Sequence, residues 1–98
     1  MPNWKTASKD DRKRLAAISI VLKNYPSVID ELFSATEPCL RTSPPALLRG
    51  RSNAECVMIR SAFDLWNSSG ASQVIDLIEL DSDNMENLFS ALRMLRAG

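Results

Sequence analysis

Apolar side chains recur at three- and four-residue intervals in three separate stretches of this 98-residue chain, and that spacing constrains its fold more than any other feature. The first stretch holds Leu15, Ile18, Val21, Leu22 and Tyr25, broadened by Ala16, Ala17 and Ile20. The second holds Cys56, Ile59, Phe63 and Trp66, with Met58, Ala62 and Leu65 on a neighbouring stripe. The third holds Met85, Leu88, Phe89, Leu92 and Leu95. Each is one face of an α-helix, so the chain reads as helices seeking a common core.

Caps and breakers set the boundaries. Ser8 with Asp11 opens a first helix over residues 9–24, and Pro26 closes it by disfavouring helical geometry at Tyr25. Ser27 is expected to cap a short second helix that buries Val28, Ile29, Leu32 and Phe33. A proline-bearing connector, residues 36–45, leads to Ser43 and Pro44, a good start for a turn or two through Ala46, Leu47 and Leu48 before Gly50. Ser52 and Glu55 form a capping box for the helix 53–66, ended by Asn67, Ser68, Ser69 and Gly70. Residues 71–81 are apolar in both phases of an alternation; a lone strand would lack a partner, so a short helix is expected there. Asp83 with Glu86 opens a last helix, 84–96, with Arg93 and Arg96 at its negative end. The expected fold is all-α, a compact bundle of four to five short helices packed around residues 53–66. It forms one domain, 1–98, with residues 1–7 as an extended arm.

Apolar residues make up 45% of the chain, enough for a core without metal or disulfide support. There is no histidine, which removes the commonest general base, metal ligand and pH switch together. Cys39 and Cys56 have no metal-like spacing and read as two reduced thiols, Cys39 in a loop being the more reactive. No phosphate-binding loop can be drawn from three glycines, and Asp76, Glu79, Asp81, Asp83 and Glu86 read as capping and solvation, with no glycine for a calcium loop. No catalytic residue, cofactor or metal site is expected, and no enzyme. Met1 to Tyr25 is too polar for a signal peptide, and no apolar run approaches the roughly 20 residues that cross a bilayer. A cytoplasmic protein with no membrane partner is the expectation.

Charge is balanced at 12 Lys plus Arg against 12 Asp plus Glu, yet unevenly spread. Residues 1–60 carry ten cations against six anions, and residues 61–98 carry two against six. Lys9, Arg12, Lys13 and Arg14 form one basic cluster, and Arg41, Arg49, Arg51 and Arg60 can form another. Leu47 to Trp66 has the outline of a helix-turn-helix, so a small DNA-binding regulator is the alternative reading, tempered by Glu55 and Asp64 on its second helix. A protein partner is favoured, because a chain basic at one end and acidic at the other orients towards a complementary surface or its own copy. The candidate partner-binding residues are Trp4, Lys9, Arg12, Lys13, Arg49, Arg51 and Arg60. Trp4 either folds back to cover the first helix or serves as an interface anchor. Residues 84–96 offer a homodimer face.

Residues 47–98 also resemble a family of small bacterial domains of unknown function carried by phages, plasmids and integrated elements. The matching stretches are Arg49-Gly50-Arg51-Ser52, Phe63-Asp64-Leu65-Trp66-Asn67, Gly70, Asp76-Leu77 with Leu80-Asp81, and Met85. The chain departs from that pattern at Leu65-Trp66, where the family has paired tryptophans, and at Ile78, where it has an aromatic residue. The resemblance implies a mobile-element setting and carries over no active site. By analogy of setting, it implies an inhibitor or modulator of a host or defence protein, as anti-CRISPR proteins are.

Overall fold

A computed structural model describes residues 2–42 and 44–97. Its helices are α1 (Lys9–Val21), α2 (Ser27–Leu32), α3 (Pro44–Leu48), α4 (Asn53–Asn67), α5 (Val74–Leu77) and α6 (Ser82–Ala97). The described residues contain no strand, only an isolated antiparallel bridge between Phe33 and Leu40. The chain is therefore all-α, with six helices among the described residues where four to five were expected, because α3 and α5 each close as a distinct short element. The Cα radius of gyration, 12.6 Å, is that of a compact chain, about 13 Å for 100 residues.

The stripes of α1 and α4 supply most of the core, while of the expected α6 stripe only Leu88 is buried and Phe89 and Leu92 stay exposed. Leu15, Ala17, Ile18, Val21 and Leu22 from α1 and its end meet Met58, Ile59, Ala62 and Phe63 from α4, and Leu88 and Ala91 from α6. The short α2 and α3 add Val28, Ile29, Leu32 and Leu47. α4 packs against α1, α3 and α6, and α1 shares the centre with it, packing closely on both α6 and α4. Ala17, Ala62 and Ala91 are fully buried, and such small residues let helix axes approach closely.

Three boundaries differ from the sequence reading. α1 ends at Val21 rather than residue 24, because the chain tightens before Pro26: Lys23 donates to the Ile20 carbonyl and Tyr25 to that of Leu22, both three residues back. Ser27 is not a cap. Pro26 holds that position, and the amides of Val28 and Ile29 donate to the carbonyls of Tyr25 and Pro26 instead. For α6 the cap is Asp81, whose carboxylate accepts from the Asn84 amide at 3.2 Å. Asp83 sits inside the first turn, while Glu86 takes Arg93 at 2.6 Å on the surface.

Other start signals act as read. The Ser8 hydroxyl accepts from the Asp11 amide at 3.0 Å. Ser52 accepts from the Glu55 amide at 3.2 Å, but only half of the expected box forms: the Glu55 carboxylate accepts from the Ser52 hydroxyl at 3.4 Å and from Arg51 at 3.1 Å instead of from the Ser52 amide. The cap expected at Ser43 lies outside the described residues. Gly50, at φ +75°, turns the chain between α3 and α4 in a left-handed conformation costly for other residues.

The arm is pinned. Asn3 donates its amide to the Ala35 carbonyl at 2.9 Å, and the Trp4 indole donates to Ser34 at 2.8 Å. The receiving loop is fixed by the Phe33–Leu40 bridge, through Ser34 to Cys39 and Arg41 to Leu32 bonds. No described helix is long and apolar enough to cross a membrane.

Candidate interaction surface

The seven residues singled out in the sequence do not converge. Trp4 is 3% exposed and packs edge-on to Phe33, with ring centroids 5.6 Å apart, and obliquely on Trp66 at 5.5 Å. Of its two readings, folding back is the one observed, and burial removes its ring from any free interface. Arg12 helps hold it, donating to the Trp4 carbonyl at 2.8 Å. Arg51 is likewise structural: it pairs with Glu31 and Glu55 and donates to the Leu47 carbonyl, which locks the turn between α3 and α4 onto α2.

Arg41, Arg49 and Arg51 line an open cleft of about 580 Å³, together with Asp30 and Glu31. Arg41 donates to the Asp30 carbonyl there at 3.1 Å. The cleft mixes both signs of charge, so it is no anion cradle. Arg60 does not line it, and Lys9 and Lys13 stand on α1 beyond its lining. The basic clusters of the sequence are thus separate, and their best-placed guanidinium is already neutralised.

The helix-turn-helix outline loses its reading helix. α3 has five residues, and of the fifteen in α4 only Asn53 and Asn67 are exposed. Helix α4 is enclosed by its own fold, leaving no basic face to enter a groove. Asp64 is also not a free surface charge. Its carboxylate accepts from the Ala71 amide at 2.9 Å, the Ser72 amide at 3.1 Å, the Ser69 hydroxyl at 3.2 Å, and the Ser72 hydroxyl. Burial pushes its pKa up, but those four donors outweigh it and hold the carboxyl below the usual range. Asp64 thereby folds the loop after α4 back onto the helix end.

That loop delivers α5, where the sequence reading missed the most unusual feature of the surface. Val74 is 81% exposed, Ile75 64% and Ile78 70%. The turn has no buried residue; only Leu77, with Leu80 beyond it, leans on the core. Val74 and Ile78 lie four apart, one above the other, with Ile75 alongside. Phe89 and Leu92 on α6 are also exposed, at 42% and 43%. A signal was present: a segment apolar in both phases cannot bury both in a single helical turn.

Asp76, Glu79, Asp81 and Asp83 surround these aliphatics in the sequence, and all but half-buried Asp76 are exposed. Asp81 is committed to α6, where the Asn84 amide and then its side chain, at 2.7 Å, lower its pKa. Among the described residues no group of three or more Cys, Asp or Glu is placed to hold a metal ion. Cys39 and Cys56 are both free thiols, and the Cys56 thiol points at the Leu48 carbonyl, 3.5 Å away. No family model, curated protein or solved structure matches this chain.

Proposed function

We propose that this protein is a non-enzymatic interaction module that docks another protein through the surface centred on α5. The observation that carries this reading is the exposure of Val74, Ile75 and Ile78, three branched aliphatics on one short turn. Exposed clusters of this kind mark docking sites, whereas scattered single apolar residues do not. A chain without histidine offers few groups for acid–base chemistry, which favours binding over turnover. The resemblance of residues 47–98 to mobile-element domains supports a host or defence protein as the partner, inhibited or modulated by occupancy.

The test is affinity capture from bacterial lysate with three forms of the chain: wild type, V74S/I75S/I78S, and K9A/R12A/K13A. Specific proteins held by the wild type should be lost from the α5 variant and retained by the basic one. If wild type and α5 variant hold the same proteins, the reading fails. A DNA mobility shift with a steep salt slope would install the regulator in its place.

A further inference from the structure

Residues 61–92 contain six Asp and Glu and neither Lys nor Arg. Within that span, Val74, Ile75 and Ile78 stand in solvent, and Asp76, Glu79 and Asp83 enter none of the described ion pairs. Along residues 74–83 aliphatics and carboxylates therefore interleave, the composition of a docking patch whose centre excludes charge and whose edge carries it.

The sign of that charge selects the occupant. A second copy related by a twofold axis would bring the same acidic segment against itself, since such an interface is self-complementary. Nucleic acid and anionic bilayers carry the same sign as the rim. A protein surface with aliphatic side chains flanked by Lys or Arg satisfies both parts of the patch: it covers the aliphatics and neutralises the carboxylates. Resting on the interaction reading above, we infer that the α5 surface docks a basic amphipathic protein segment, such as a helix with a Leu face bordered by lysines.

The probe is a synthetic peptide of roughly 18 residues, long enough to be helical, with Leu at helical spacing and Lys elsewhere. Three control peptides replace every Lys with Glu, replace every Lys with Gln, or scramble the order of the basic peptide. Titration uses the full chain at low and high salt, followed by calorimetry. The basic peptide should bind, and V74S/I75S/I78S should weaken it by at least about thirtyfold, the effect of one interface hot spot. D76N/E79Q/D83N, which spares the capping Asp81, should weaken it at low salt and flatten the salt dependence.

Absence of binding by the basic peptide overturns the inference, as does equal binding by the scrambled one. Binding of the Glu or Gln peptide that V74S/I75S/I78S abolishes removes the charge inference while the interaction reading survives. If the α5 substitutions alter neither peptide binding nor lysate capture, both fall. Sedimentation showing self-association that the α5 substitutions abolish assigns the patch to a second copy. Binding to lipid vesicles in preference to the peptide assigns it to a membrane. Either result ends the inference.

Discussion

Trp4 couples the beginning of the chain to positions 33 and 66 through two ring contacts and one indole hydrogen bond. Phe33 and Trp66 also touch each other, at 4.9 Å, so the three rings form a closed cluster. Trp4→Ala would leave a hole that this cluster cannot fill, at a cost of about 3–5 kcal/mol. Trp4→Phe keeps an aromatic ring but frees the Ser34 carbonyl, and should lose less. Urea unfolding followed by circular dichroism measures both; equal losses would mean that ring packing is not the main contribution. Asn84 is a second singular residue, 2% exposed and polar. Its amide donates to the Tyr25 hydroxyl at 2.9 Å and to Asp81, and its carbonyl accepts from Asn24 at 3.2 Å, joining the turn after α1 to the start of α6. Asn84→Ala should cost about 1–3 kcal/mol, the usual range for breaking a buried polar network. Asn84→Asp sets a carboxylate beside Asp81 and loses both donors, so its melting temperature should recover relative to wild type on mild acidification. A constant deficit from neutral to acid would exclude charge repulsion as the cause.

At the scale of elements, the caps differ in how completely they act. Ser52→Ala removes the acceptor for the Glu55 amide and should cost about 1 kcal/mol in a denaturant titration. An unchanged midpoint would show that the Arg51–Glu55 pair holds the start of α4 alone. V74S/I75S/I78S, by contrast, should shift stability by no more than about 0.5 kcal/mol, since these side chains are 64–81% exposed. The helices α1, α4 and α6 were legible because helical apolar spacing is local information, but which side of α6 is covered was not: Leu88 and Ala91 are buried while Phe89 and Leu92 stay exposed. The cap of α6 was not: Asp81 with Asn84 and Asp83 with Glu86 are equivalent patterns, and the choice falls to Asp81 because buried Asn84 needs a partner. The candidate site was less legible still. Trp4 and Arg51 look like free surface groups until contacts 29 to 62 and 20 residues away consume them. Whether both apolar phases of residues 74–80 find cover depends on neighbours that local spacing does not encode.

For the whole molecule, balanced charge conceals a response to acid. With no histidine, few groups change charge between about pH 5 and 8, so stability should be level across that range. Below it the carboxylates protonate and the 12 Lys and Arg are left unopposed, which repels the compact state. Asp64 and Asp81 add a specific contribution, both having folded pKa values lowered by hydrogen bonds. A group whose pKa is lower folded than unfolded contributes stability above its unfolded value, about 3.9 for Asp, and loses it as pH falls through the folded value. The melting temperature should therefore hold from about pH 8 to 5 and drop below about pH 4. D64N/D81N should start lower at neutral pH and descend less steeply, the two curves converging in acid. A parallel descent would mean that general repulsion alone unfolds the protein. A melting temperature that changes between pH 5 and 8 would point to a titrating group outside these carboxylates.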